Sequence, residues 1–174
     1  MLAVAGRGRL GQAYVLSGRL AEGIALLGQA ASAFGIMQHR AAASITYAQL
    51  GQAYLLADRR ADALDCARRS LAIASEGGQR GHEAMATWLF GEIAAIDGGL
   101  GQADGHYRDA LALAQKIGFR PLVAHCHRSL AKLHGRSGTR ERSSEHFAIA
   151  TAMYREMDMQ FYLQQVEAEK LQLP

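Results

Sequence analysis

The side chains best suited to chemistry lie close together in one stretch, where His125, Cys126 and His127 are consecutive and His134 and His146 follow. Imidazole and thiol groups can ligate zinc, or act together as a base and a nucleophile. In a helix, however, His125 and His127 lie about 200° apart, and sequence neighbours point in different directions. His127 and His134 share a face, but they occupy places that earlier parts of the chain fill with tyrosine. We therefore predict that these residues pack against other helices, with no metal site and no catalytic residue.

Other signatures of chemistry or of special compartments are absent from the sequence. There is no GxxxxGK[ST] phosphate loop, and no paired aspartates stand in a cyclase-like context. Cys66 and Cys126 form no CxxC pair. The apolar runs fall short of the roughly 18 residues needed to span a bilayer, and the first residues do not resemble a secretory signal. The net charge of +3 is too small for the dense basic stripe of a nucleic-acid binder. We therefore predict a cytoplasmic protein that is not an enzyme, with no cofactor, no membrane contact and no nucleic-acid partner.

The elements that carry these side chains repeat with a period of 40 residues. The string LGQAY occupies residues 10–14 and again residues 50–54, and the same step leads to Phe90-Gly91 and Leu130-Ala131. Apolar residues at helical spacing precede and follow a short turn in each repeat. The turns are placed at Gly18, Asp58, Gly98 and Gly138. The pattern predicts first (A) helices near 1–17, 41–57, 81–97 and 121–136, second (B) helices near 20–34, 60–75, 100–116 and 140–156, and a closing helix at 160–172.

Glycine recurs in the middle of the A helices, at Gly11, Gly51 and Gly91, with Ala131 at the equivalent place in the fourth repeat. Glycine inside a helix costs roughly 0.5–1 kcal/mol relative to alanine. A compensating gain is expected from close approach of the B helix, which requires a small residue. The same four positions therefore predict where the helices of each repeat touch.

This pattern of a large residue, a small residue and a tyrosine in helix A, followed by small and aromatic residues in helix B, resembles the tetratricopeptide repeat (TPR). Leu50, Gly51, Tyr54 and Ala63 fit the family motif, although the usual period is 34 residues. The resemblance implies an all-α, right-handed superhelical solenoid of four helix-turn-helix repeats of about 40 residues plus the closing helix. Residues 1–174 would form one domain, with repeats at about 1–40, 41–80, 81–120 and 121–159.

Residues 106–138 and 152–169 resemble the C-terminal TPR region of large bacterial signalling ATPases, which also carry an adenylate/guanylate cyclase domain or the DNA-binding domain of a transcriptional regulator. Only the TPR-like part of such proteins is found in this sequence. The chain also opens at a repeat boundary, without the polar cap that solenoids normally need. We interpret it as a fragment of a larger protein, or as a small protein whose first repeat pairs with another chain, including a second copy.

In TPR proteins the concave wall is lined by the A helices, where extended peptides or partner helices bind. Carried over by repeat register, the resemblance implies a wall that runs from apolar in the early repeats to basic in the fourth. We expect a partner segment with an apolar portion and then acidic groups; alternatively, the apolar residues only pack against a neighbouring repeat. The candidate binding residues are Gln12, Leu16, Gln52, Leu55, Trp88, Glu92, Arg128, Lys132 and Arg136.

The function that follows is a non-catalytic protein-protein interaction scaffold, expected to be the regulatory tail, or a fragment, of a bacterial signalling ATPase or cyclase-like protein. The alternative is a sensor that takes a short peptide or a small ligand between repeats, with Trp88 and Tyr54 as candidate contacts. The sequence leaves the two open.

Overall fold

The computed structural model describes residues 2–172, and all nine regular elements in that part of the chain are α-helices. Their bounds agree with the predicted helices to within two residues. Met1, Leu173 and Pro174, which the predicted domain includes, lie outside the described residues. The helices are α1 (Leu2–Leu16), α2 (Leu20–Ile36), α3 (Arg40–Leu56), α4 (Arg60–Glu76), α5 (Arg80–Ile96), α6 (Leu100–Lys116), α7 (Arg120–Arg136), α8 (Arg140–Glu156) and α9 (Gln160–Gln172).

A turn with one residue in the left-handed region separates each helix from the next. This residue recurs every 20 residues, with φ between 54° and 84°. The backbone N–H of the residue after the left-handed one closes the turn, as in the bond of 2.8 Å from Arg19 N to Tyr14 O. This is the Schellman arrangement, which pairs carbonyls that a helix end leaves open. The left-handed residues are Gly18, Gln38, Asp58, Gly78, Gly98, Gly118, Gly138 and Asp158.

The helices form two layers. Each odd-numbered helix up to α7 packs against the following helix of its own repeat, and α1, α3 and α5 also contact the next odd-numbered helix. The odd-numbered helices therefore make up the inner layer, which faces the concave side, and the even-numbered helices make up the outer layer. This is the helical repeat solenoid that the sequence predicts.

Helix α9 occupies the place of a fifth inner helix, because Gln160 follows Arg120 by one period. Leu163 and Val166 bury their side chains against Phe147 and Ala150 of α8. Apolar contacts in the first two turns of α9 thus fix this helix to the end of the solenoid.

The small residues of the inner helices lie where the layers touch. A β-carbon added to Gly91 would lie 2.5 Å from the ring of Tyr107, and one added to Gly51 would lie 3.2 Å from Cβ of Cys66. Real β-carbons essentially never come as close as 2.5 Å to another atom and seldom as close as 3.2 Å, so the ring of Tyr107 fits in its buried place because Gly91 has no side chain. The close approach predicted from the mid-helix glycines is confirmed.

Candidate functional site

A groove of about 690 Å³ runs along the concave side, and we call it the concave groove. It is lined by one face of each inner helix, α1, α3, α5 and α7, and by α9. Eight of the nine candidate binding residues lie in its wall: Gln12, Leu16, Gln52, Leu55, Trp88, Glu92, Arg128 and Lys132.

Repeat register explains why these residues meet. Positions separated by 40 residues take equivalent places on successive inner helices, so they form rows across the groove. One row is Leu16, Leu56 and Ile96, whose side chains line the groove while 42%, 63% and 44% exposed. Large apolar side chains exposed in a continuous row mark interaction surfaces in soluble proteins.

The fourth place in this row belongs to Arg136, which the sequence also assigned to the groove. Its guanidinium donates a hydrogen bond of 2.7 Å to the backbone oxygen of Ala95. Arg136 is not among the residues that line the groove. The side chain instead ties α7 to the end of α5, so its assignment to the wall needs correction.

A hydrogen-bond network holds Trp88 and Glu92 in the middle of the groove. The indole Nε1 of Trp88 donates to Oγ of Ser129 at 3.0 Å, and this hydroxyl donates to Oε1 of Glu92 at 2.6 Å. The hydroxyl of Tyr107 donates to the same oxygen at 2.7 Å. Burial, together with the charge of Glu92, raises the pKa of Tyr107, so this hydroxyl remains a donor at neutral pH. The network fixes the plane of the indole, which is the largest side chain in the wall of the groove.

At the far end, the charges of α7 are already paired within the chain. The Nε and Nη2 atoms of Arg128 each lie 2.7 Å from a carboxylate oxygen of Glu169, and Nζ of Lys132 lies 3.2 Å from the same carboxylate. Burial alone would raise the pKa of Glu169, but the hydrogen bonds and charges of Arg128 and Lys132 outweigh it and lower the pKa. The open basic end expected from the sequence is therefore corrected, because a carboxylate from α9 occupies it.

Aromatic rings surround His125 beside this charged end. Its Nδ1 lies 2.6 Å from the hydroxyl of Tyr154, and its ring packs edge-on against Tyr162, with centroids 4.6 Å apart, and 5.8 Å from the ring of Trp88. Burial, and to a lesser extent the charge of Arg128, lowers the pKa of His125 to about 4. The imidazole is therefore neutral and acts as one wall of an aromatic corner.

The other histidines of interest pack between α7 and α8. Nδ1 of His127 lies 2.8 Å from Nδ1 of His146, and the ring of His134 stacks on His146 with centroids 5.5 Å apart. Within residues 2–172, no group of three or more His, Cys, Asp or Glu side chains has an arrangement that could hold a metal ion. We call His127, His134 and His146 the histidine cluster.

Both thiols lie in the core. Burial is the main cause that raises the pKa of Cys66 and of Cys126 to about 12, so both thiols are protonated at neutral pH. A protonated thiol is a poor nucleophile. Tyr54, a contact proposed for the sensor alternative, packs with Ala63 and Leu89, and the guanidinium of Arg59 covers its ring at 4.4 Å.

Repeated pairs of helices, small residues at the contact between layers and a groove lined by the inner helices define a solenoid of the TPR-like class. Solved structures support this assignment. The chain is similar to aspartyl phosphate phosphatase F from Bacillus subtilis, with a TM-score of 0.76 over 95% of this chain at 12% sequence identity. It is also similar to the nearly identical TPR-like repeats of a putative kinesin light chain from Podosopora anserina, with a TM-score of 0.66 over 88% of this chain at 15% identity.

This chain spans 43% of the length of the phosphatase and 76% of the length of the kinesin light chain structure. At such identities, the likeness shows the fold alone. No protein-family model matches the sequence, and no curated protein matches it. Among the described residues, no helix is both long and apolar enough to cross a membrane.

Proposed function

We propose that the chain is a non-catalytic scaffold that binds a segment of a partner protein in the concave groove. The observation that carries this proposal is the exposed row of Leu16, Leu56 and Ile96, which lines the same groove as the indole of Trp88. A water-exposed row of this kind becomes more stable when a partner covers it. Because the lining residues come from all four repeats and from α9, an elongated segment fits the groove better than a compact small molecule.

Polar atoms in the wall support a peptide as the occupant. Side-chain amides of Gln12, Gln49, Gln52 and Gln165 line the groove among the apolar groups. The Oε1 atom of Gln12 is buried and accepts no hydrogen bond from the described residues. Amide groups can both donate to and accept from a peptide backbone, whatever the side chains of that peptide are.

The test is a selection of peptides from a random library displayed on phage, with the intact chain as the target. We expect Leu56→Glu to weaken binding of the selected peptides more than tenfold, since a leucine side chain contributes about 1.5–3 kcal/mol when buried and a charge there opposes burial. Fluorescence anisotropy of labelled peptides measures the change.

The matched control is Ala72→Glu, which adds the same charge at an exposed place on the outer helix α4. Peptides that bind Leu56→Glu as tightly as the unaltered chain would contradict the groove as the binding site. A Trp88 fluorescence shift with small molecules from a cell extract, in the absence of any bound peptide, would favour the sensor alternative instead.

We further propose that the chain is the regulatory tail, or a fragment, of a cytoplasmic bacterial signalling ATPase or cyclase-like protein. The support is the sequence resemblance of residues 106–138 and 152–169 to the TPR regions of such proteins. A gene upstream in the same reading frame that encodes a cyclase or a phosphate-loop ATPase would establish this origin.

Self-association through the first repeat is a separate proposal. Leu10 is 46% exposed on α1, whereas the equivalent Leu50 and Leu130 are 5% and 1% exposed because the preceding outer helix covers them. A second copy could cover the same face of α1. We expect a dimer in sedimentation velocity at high micromolar concentration and a monomer for Leu10→Glu, with Ala25→Glu on α2 as the control. A monomeric unaltered chain would contradict this proposal.

A further inference from the structure

The end of the concave groove already binds a carboxylate, and that carboxylate belongs to the chain itself. Arg128 holds both oxygens of Glu169 with two bonds of 2.7 Å, and Lys132 approaches within 3.2 Å. Arg128 and Lys132 line the groove. Two parallel bonds from one guanidinium to one carboxylate form the strong, geometrically specific pairing that proteins use to recognise carboxylates.

Glu169 can leave this position without undoing the fold. It lies in the last turn of α9, which ends at Gln172. The apolar anchors Val166 and Leu163 lie about one and two turns earlier, respectively. Because the last four carbonyls of a helix have no partner within the helix, its last turn opens at low cost. Fraying from Glu169 onward would free Arg128 and Lys132 while the anchors stay buried.

The charges around the site favour a replacement by another carboxylate. Arg128 and Glu169 side chains are each only 20% exposed, so a guanidinium left unpaired there would be poorly solvated. Glu92, the other carboxylate in this part of the groove, accepts two hydrogen bonds from Ser129 and Tyr107. Removal of Glu169 therefore leaves an excess of positive charge that a carboxylate of the partner would balance.

We propose that Arg128 and Lys132 form a carboxylate subsite of the groove, that Glu169 occupies this subsite in the free protein, and that a partner carboxylate displaces it. This inference rests on the proposed peptide binding. It adds that binding exchanges one carboxylate for another, so that the partner segment carries an acidic group where it reaches α7. The exchange keeps the subsite closed to partners whose segment is apolar throughout.

The experiment uses the peptides selected on the intact chain. We expect them to contain a carboxylate that is needed for binding, and to bind Glu169→Gln about tenfold more tightly than the unaltered chain, because the glutamine no longer competes as a charge. Arg128→Gln should remove the preference for the acidic peptide over its twin with glutamine. A second twin with an amidated C-terminus distinguishes a terminal carboxylate from an acidic side chain.

Glu167→Gln is the matched control, since Glu167 is exposed on the same helix and lies 3.9 Å from Arg155. If Glu169→Gln disturbs folding, Glu169→Asp retains the charge with a shorter reach and should give a smaller gain in affinity. Equal affinities for Glu169→Gln and the unaltered chain would overturn the exchange and leave groove binding intact. A selection that yields no peptide sensitive to Leu56→Glu would overturn the proposed function, and the subsite with it.

Discussion

Gly23→Ala is expected to lower the free energy of unfolding by about 1–3 kcal/mol, the range found when a packed interior is overfilled. An added β-carbon would lie 2.6 Å from Cγ2 of Val15 and 2.9 Å from the backbone oxygen of Gly11. A side chain can turn away from a new methyl group, but a backbone oxygen cannot. The methyl group must therefore push α2 away from α1, even though alanine favours the helix itself.

Gly28→Ala, five residues further along α2, is the matched control. A β-carbon there has no neighbour within 4 Å. This change should raise the free energy of unfolding by about 0.5–1 kcal/mol through helix propensity alone. Urea denaturation followed by circular dichroism measures both variants. Equal effects of the two substitutions would show that the contact between α1 and α2 is not tight, and would contradict the packing described for the first repeat.

The sequence predicted much of this packing, because the repeat supplies its own comparison. Gly11, Gly51, Gly91 and Ala131 are equivalent, so their small size indicates a shared contact. The contact at Gly23 was not predicted, because the equivalent residues in the other repeats are alanine or serine. Only in the first repeat do two glycines, Gly11 and Gly23, lie against each other. The turns were predicted for the same reason, as the left-handed residues recur at a fixed interval.

The candidate site was predicted less completely. Register correctly indicates which residues face the same side, and it brings eight candidate residues into one groove. Repeat register does not predict which side chains form hydrogen bonds or ion pairs with residues at non-equivalent positions of another repeat. Arg128 and Glu169 are 41 residues apart, one more than the period, and the positions equivalent to Glu169 in α7, α5 and α3 are Ser129, Leu89 and Gln49, none of which is charged. The loss of an open basic end could therefore be seen only in three dimensions.

Histidine packing between α7 and α8 gives the structure a dependence on pH. Burial is the main cause that lowers the pKa of His127 to about 4, and the neighbouring His146 lowers it further. Burial also lowers the pKa of His134 and of His146. The carboxylates of Asp104 on α6 and Glu145 on α8 raise the pKa of histidines in this cluster. The guanidinium groups of Arg108 and Arg142 lower it. Since Nδ1 of His127 and Nδ1 of His146 share one hydrogen bond, one nitrogen must remain unprotonated.

Acid is therefore expected to destabilise the protein well before its carboxylates are protonated. A histidine in the unfolded chain has a pKa of about 6.5, whereas His125 and His127 in the folded chain have pKa values of about 4. Between these two pH values, the unfolded chain binds protons at these histidines and the folded chain does not. Because the unfolded state binds more protons, stability is full above about pH 6.5 and falls as the pH drops toward 4. Between pH 7 and pH 5, the two histidines together should lower the free energy of unfolding by about 2–4 kcal/mol, because each contributes about 1.36 kcal/mol for each pH unit below 6.5.

Urea denaturation at pH 7, 6 and 5 measures this loss, and His127→Gln identifies its source. Glutamine keeps a hydrogen-bonding group beside His146 but cannot be protonated, so this variant should lose roughly half as much stability between pH 7 and pH 5 as the unaltered chain. His39→Gln removes an exposed imidazole, leaves the buried ones in place and serves as the control. If His127→Gln shows the same dependence on pH as the unaltered chain, the histidine cluster is not what acid disrupts. Because α7 carries His127 and His134 of this cluster as well as Arg128 of the carboxylate subsite, a loosened contact between α7 and α8 should also weaken peptide binding at pH 5.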